Sequence, residues 1–315
     1  MANRIYYASH SVAIGGVTLT GVQSVGVSTT YNREPIFELG QKEVYLDQES
    51  IADVEVTISK LMDGTTPMYL LATSAGSSGS SGTDLSSRSE SKCDVTLSTF
   101  DDVNGNHIST ASMPDMYVSN ISYTIPIDGN ATEDITLVGN VKENAVSSGS
   151  SGGGANSAPA SLGNRVIVRR QHVTLGSGLT GAQNITFSVD LSREPLYAFG
   201  SLLPTVRLVN YPIEVTTEVE YLASGALDGT ASTATTGCQN YTAGGDATGA
   251  LTATLCHYSA SSGSSGSGNN TVISAGSSNA ITSVNYSGGD AGGGNATVTI
   301  SYRNYNVFTV THGGA

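Results

Sequence analysis

The stretch TGVQSVGVSTTYNREPIFELG, Thr20 to Gly40, returns as TGAQNITFSVDLSREPLYAFG, Thr180 to Gly200. The two align without a gap at an offset of 160, with eight identities in 21 positions. The differences include apolar exchanges at Val25/Ile185, Val27/Phe187, Ile36/Leu196 and Phe37/Tyr197. Self-similarity at one fixed period is the mark of repeated structural units. The chain therefore reads as two diverged copies of one domain.

The agreement continues on either side. VEVT at Val54–Thr57 answers IEVT at Ile213–Thr216 at an offset of 159, and LMDG at Leu61–Gly64 answers ALDG at Ala226–Gly229. NISYT at Asn120–Thr124 and NATEDITLVG at Asn130–Gly139 answer SVNYS at Ser283–Ser287 and NATVTISY at Asn295–Tyr302. Each copy is thus expected to close in a hairpin. VSSGSSGGGANSAPASLGN, Val146 to Asn164, has the composition of a flexible connector. The expected organisation is a first β domain over 1–145, a Gly/Ser-rich linker over 146–164 and a second β domain over 165–315. AGSSGSSG at Ala75–Gly82 and ASSGSSGSG at Ala260–Gly268 read as loop insertions within the copies.

Period-two alternation with β-branched and aromatic residues marks the strands. In copy one it covers VGVSTTY (Val25–Tyr31), VEVTIS (Val54–Ser59), CDVTLSTF (Cys93–Phe100), NISYTIPI (Asn120–Ile127) and DITLVGNV (Asp134–Val141). In copy two it covers NITFSVDL (Asn184–Leu191), IEVTTEVEYL (Ile213–Leu222), ALTATLCHY (Ala250–Tyr258), AITSVNY (Ala280–Tyr286) and ATVTISY (Ala296–Tyr302). The fold class is all-β: tandem β-sandwich or partly closed barrel domains related by duplication. A short helix fits TTPMYLLATS (Thr65–Ser74), with Pro67 in its first turn, but the matching TASTATTG of copy two is a poor helix former.

Composition excludes several function classes. The net charge is -13 with a pI near 4.6, and only 12% of residues are charged. Proteins that hold nucleic acid by its phosphates collect basic surface, which this chain lacks. The acidity lies mainly in copy one, where residues 1–144 hold 18 Asp/Glu against 7 Lys/Arg. Cys93, Cys238 and Cys256 form no CxxC, and the start MANRIYYASHSVAIGG has no apolar h-region. His10, His107, His172, His257 and His312 stand apart without HExxH or HxH spacing. No GxSxG, P-loop or dinucleotide fingerprint occurs, so the expectation is a non-enzyme with no cofactor and no metal. DGNATED (Asp128–Asp134) crowds oxygen ligands but lacks EF-hand spacing and reads as a polar hairpin turn.

The best-preserved words are NREPIFELG (Asn32–Gly40) and SREPLYAFG (Ser192–Gly200). The prolines bias the preceding Glu toward extended backbone, and the glycines permit a sharp exit. Two readings stand side by side. Arg33 and Arg193 pair with a carboxylate of their own domain, or they bridge with Glu34 and Glu194 to the adjacent domain. Arg33, Glu34, Pro35, Phe37, Arg193, Glu194, Pro195 and Tyr197 are the candidate contact residues.

On the paired TG[VA]Q and REP[IL][FY]x[LF]G words, the β-rich copies and the Gly/Ser connector, the chain resembles a bacteriophage tail tube protein in duplicated form. That resemblance implies small β domains assembling into hexameric rings that stack around a strand-lined lumen. A duplicated chain then forms a homotrimeric ring of pseudo-sixfold symmetry, stacked with other tail proteins in the virion tail and assembled in the host cytoplasm. DNA passes without specific binding, and no membrane is spanned. The resemblance makes the strands around Val54–Ser59 and Ile213–Leu222 lumen candidates, with Glu55, Glu214, Glu218 and Glu220 as lumen charge. It makes Gln41–Ser50 and Ser201–Tyr211 candidate ring-to-ring contacts. Other virion roles, a head decoration protein, a tail adaptor or a glycan- or protein-binding surface module, fit the same composition.

Overall fold

The computed structural model describes residues 10–73, 85–100, 107–146, 166–176, 179, 181–222, 232–233, 242–243, 250–257, 270–288 and 295–313. The Gly/Ser tracts and nearly all of the connector lie outside these residues. In the first half run β1 (His10–Ile14), β2 (Val17–Thr18), β3 (Val22–Phe37), β4 (Val44–Leu61), helices α1 (Met68–Thr73) and α2 (Leu85–Arg88), β5 (Lys92–Phe100), β6 (His107–Pro126), β7 (Thr132–Gly139) and β8 (Glu143–Val146). In the second run β9 (Val173–Leu175), β10 (Ala182–Asp190), β11 (Arg193–Leu196), β12 (Val206–Val209), β13 (Glu214–Leu222), β14 (Ser232–Thr233), β15 (Thr242–Ala243), β16 (Thr252–Leu255), β17 (Thr271–Ser274), β18 (Ala280–Ser287), β19 (Thr297–Tyr305) and β20 (Thr309–His312).

The fold is mostly strand, as the alternation implies. Eight antiparallel strands form one continuous path, β3-β4-β7-β6-β10-β13-β19-β18. Four come from each copy in the same order. A second layer repeats likewise, as β8-β6-β5-β1 in copy one and β20-β17-β16-β9 in copy two.

Register makes the duplication quantitative. Val25 faces Ile58, Ile58 faces Ile135, and Ile135 faces Ile121. In copy two Ile185 faces Val219, Val219 faces Ile300, and Ile300 faces Val284. Even the irregularities repeat. Bulges fall at Gln23 and Gln183 just after the TG words, and at Ser119 and Thr282. Gly21 and Gly181 hold φ values of +73° and +86°, so the TG words are backbone corners that only glycine enters without strain.

One expected alignment shifts. By register Val54 corresponds to Val215, since Thr29 faces Val54 and Val189 faces Val215. The VEVT/IEVT match places it on Ile213 instead. A slip of two keeps every side chain on its face, so alternation alone does not detect it. A second difference is in length. Copy one has a single β6 of 20 residues, bent at Asp115 with φ 55°, where copy two has β17 and β18 separated around Gly276.

The core lies between the two layers. On β4 residues Val54, Val56 and Ile58 are buried while Asp53, Glu55 and Thr57 are exposed, and β7 buries Glu133, Ile135 and Leu137 in alternation. The inward residues join Val12, Ile14, Val95 and Met113 of the second layer in one buried cluster. Helix α1 forms where Pro67 precedes it, and all six of its residues are buried. Its short apolar run has no polar face, so tertiary burial rather than propensity stabilises it. Buried Glu133 accepts from the Met68 and Tyr69 amides at 2.7 and 3.0 Å and from the Tyr123 hydroxyl at 2.7 Å. The carboxylate thereby satisfies donors that the helix start leaves open.

Candidate inter-domain and inter-subunit surface

The copies meet edge to edge. β6 pairs antiparallel with β10 from Asn120↔Asp190 to Pro126↔Asn184, so main-chain hydrogen bonds join one domain to the next. Just beyond, the Leu191 amide donates to the Ser119 carbonyl at 2.7 Å, and its side chain is fully buried.

Copy two's REP word folds over this junction as the hairpin β11–β12. Arg193 donates from Nε to the Val118 carbonyl at 2.6 Å, from Nη2 to the Ser89 carbonyl at 2.5 Å and from Nη1 to the Arg207 carbonyl at 3.1 Å. Its guanidinium also stacks 5.0 Å from the Tyr117 ring centroid. Burial, countered by Tyr117, lowers its pKa to about 10, which leaves it charged near neutrality. Arg207 reaches across as well, to Asn140 Oδ1 at 3.0 Å and to Asp53 Oδ1 at 3.2 Å. A cleft of about 450 Å³ between Asp53, Val138, Pro195, Tyr197 and Arg207 marks the seam.

The same word in copy one behaves differently. β3 and β4 run on as a long two-stranded arm, in which Arg33 pairs with Asp47 at 3.3 Å and Glu49 at 3.4 Å. Arg33 thus pairs with carboxylates of its own copy, whereas Arg193 donates to backbone carbonyls, two of them in copy one. Among the described residues neither Glu34 nor Glu194 has an ion-pair partner. Pro35 stands opposite Asp47, and Pro195 opposite Arg207. Phe37 and Tyr197 are largely exposed, as are Tyr31, Leu39, Tyr45 and Leu46 of the arm. An arm that exposes this much apolar surface is unlike an ordinary solvent hairpin.

The outward face of the eight-stranded path is mostly polar, with Val138, Leu222 and Tyr305 as apolar positions among its charged and hydroxyl side chains. Glu55, Glu214, Glu218 and Glu220 all lie on it, joined by Asp53, Asp134 and Asp190 among Ser and Thr. Arg303 on β19 is a cation within it, half-buried, stacked 5.3 Å from the Tyr305 ring, and without a carboxylate partner among the described residues.

Of the junction residues, Leu191, Asp53 and Asn140 escaped the sequence reading, and Arg207 entered it only within the segment Ser201–Tyr211; Arg303, on the polar face, was not singled out either. The structural counterpart of Arg207 is Asp47, because each faces the REP proline. A charge reversal of that kind is visible in an aligned repeat only once the pairing is known. Among the described residues no group of three or more His, Cys, Asp or Glu is placed to hold a metal. None of their helices is long and apolar enough to cross a membrane.

No protein-family profile matches the chain, and no curated protein matches it. Solved structures overlap it distantly. The tube-terminating cap of the anti-feeding prophage superposes at 12% identity over 47% of this chain and 94% of its own, with a TM-score of 0.37. The sheath–tube complex of an extracellular contractile injection system (PVC) in its extended state covers 46% of this chain and 93% of its own at 14% identity, TM-score 0.34. The sheath/tube terminator of that system covers 45% and 97% at 14% identity, TM-score 0.34.

Proposed function

We propose that the chain is a self-assembling structural protein that closes into rings, and that stacked rings form the tube of a phage tail. One observation carries the reading. The β6–β10 junction joins copy one to copy two, and the edges equivalent to its two partners, β18 and β3, have no strand beside them among the described residues at the ends of the path. Carrying the junction's register over sets Val284 of one chain opposite Thr29 of the next. Such a contact is heterologous, so it propagates, and it either closes as a ring or continues as a filament. It also removes the exposed sheet edges that otherwise invite uncontrolled pairing.

Ring size follows from the duplicated tail-tube resemblance, which puts three chains and six domains in each ring. At eight strands per chain along this path, three chains build a wall about 115 Å round at about 4.8 Å per strand. The wall is then roughly 37 Å across between backbones before tilt widens it. The polar, acidic face makes a channel whose wall repels phosphates rather than holding them. The domain division at 1–145, 146–164 and 165–315, the stacking of rings and the place in a virion tail belong to this same reading.

The test is negative-stain electron microscopy of the purified chain over a concentration series, with class averages examined for symmetry. Open rings, threefold by chain and nearly sixfold by domain, are expected. Single chains at every concentration would remove the reading.

A further inference from the structure

The two junctions of such a ring cannot be alike, because their charges differ. Within the chain the arm supplies the cation: Arg207 meets Asp53 of the preceding domain at 3.2 Å, and Val138 on the neighbouring strand is uncharged. Between chains every one of these positions changes. Arg207 becomes Asp47, Asp53 becomes Glu214, and Val138 becomes Arg303, by the register that sets Pro195 against Arg207, Pro35 against Asp47, Val54 against Gly139 and Val215 against Asn304. Docking copy one's arm as copy two's arm is docked thus brings Asp47 toward Glu214, with Arg303 on the adjacent strand. Arg303 is a cross-strand diagonal from Glu214, since Glu214 faces Tyr305 and Thr216 faces Arg303.

We infer that the contact between chains is closed by an ion pair between Asp47 of one chain and Arg303 of the next, and that Arg33 releases Asp47 on docking to donate to the neighbour's Ile281 carbonyl. Ile281 corresponds to Val118, the acceptor of Arg193: Val118 faces Leu137 and Ile281 faces Tyr302, each just before a bulge. In the free chain Arg33 holds Asp47 and Glu49 on an exposed arm, where such pairs contribute little and are readily exchanged. Moving the cation from arm to sheet also discriminates. A copy-two arm brought to Arg303 sets Arg207 against a like charge, so each arm fits only its own junction.

This inference rests on the ring reading, and one experiment separates the two. Assembly of the full-length wild type, D47R, R303D and the D47R/R303D double variant is followed by sedimentation and electron microscopy at low salt. Wild-type rings are expected, with each single reversal raising the concentration needed for assembly at least tenfold and the double reversal restoring it to within about threefold. Circular dichroism and thermal melts of the unassembled variants check that each still folds. Wild-type rings with single reversals that assemble normally, or with a double reversal that fails to recover, overturn the ion pair and leave the ring standing. A wild type that never assembles overturns both.

Discussion

Arg193 in the second copy donates its Nε hydrogen to the carbonyl oxygen of Val118 in the first at 2.6 Å, across 75 residues of sequence. With the bonds to Ser89 and Arg207 it fills three acceptors. Truncating it strands carbonyls inside the seam, whereas its counterpart Arg33 loses only exposed pairs. Arg193→Ala is expected to cost roughly 2–4 kcal/mol in urea unfolding, and Arg33→Ala under about 1 kcal/mol in the unassembled chain. Equal losses would contradict the division of roles between the copies.

Glu133 is fully buried, with two amides of α1 and the Tyr123 hydroxyl as donors. Glu133→Ala leaves all three unpaired and is expected to destabilise the chain by roughly 3 kcal/mol or more. Amide exchange should show α1 opening before the strands do. Uniform loss of protection would mean that the carboxylate does not specifically hold the helix.

How much of this was legible in the sequence depends on what each residue does. Alternation revealed the strands, since inward Val54, Val56 and Ile58 are separated by polar residues. The REP words drew attention to Arg193 because both copies retain them. The seam itself was hidden, because pairing between β6 and β10 is made by backbone groups that every residue carries. Arg207 and Arg303 were hidden for another reason. Arg207 reaches Asp53, 154 residues away, Arg303 has no carboxylate partner among the described residues, and their counterparts Asp47 and Val138 have different charge.

His257 is buried, with Nε2 2.7 Å from the Thr271 hydroxyl, which in turn is 2.9 Å from His312 Nδ1. Burial first, and His312 next, push its pKa down to about 4. The folded chain therefore holds it neutral, while the unfolded chain protonates it near pH 6.5. Its contribution is complete above pH 6.5 and is lost progressively as pH falls toward 4. By linkage the loss at pH 5 is about 2 kcal/mol. Lowered His312 acts in the same direction, whereas lowered Asp63 acts only below the ordinary carboxylate range. Urea titrations at pH 7.5 and 5.0 should show this slope in the wild type and a shallower one in His257→Gln. An unchanged slope would move the effect to other groups.

Burial, with Asp94 as the lesser cause, raises the Cys93 thiol to about 12, so almost no thiolate forms at neutral pH. Iodoacetamide at pH 8 is expected to leave Cys93 unmodified in the folded chain and to label it after denaturation, as read by peptide mass. Rapid labelling of the native chain would show that β5 opens readily.

Leu191 and Tyr31 occupy the same place in the two copies, 160 residues apart, yet Leu191 is 0% exposed and Tyr31 65%. The difference follows from what lies beside each: β10 has β6 along its edge, and β3 has no second strand along its outer edge among the described residues. Truncation at the two sites should therefore separate folding from assembly. Leu191→Ala opens a cavity in the seam and is expected to cost roughly 2–4 kcal/mol in the single chain. Tyr31→Ala removes a side chain already in water, so the single chain should melt almost as the wild type does. If the free edge is the place where the next chain docks, Tyr31 becomes buried there as Leu191 is, and its loss should raise the concentration needed for ring formation at least tenfold. Calorimetry on dilute protein and sedimentation on concentrated protein measure the two effects separately. A Tyr31→Ala variant that assembles like the wild type would show that the β3 edge is not the docking edge, whatever the symmetry of the particles.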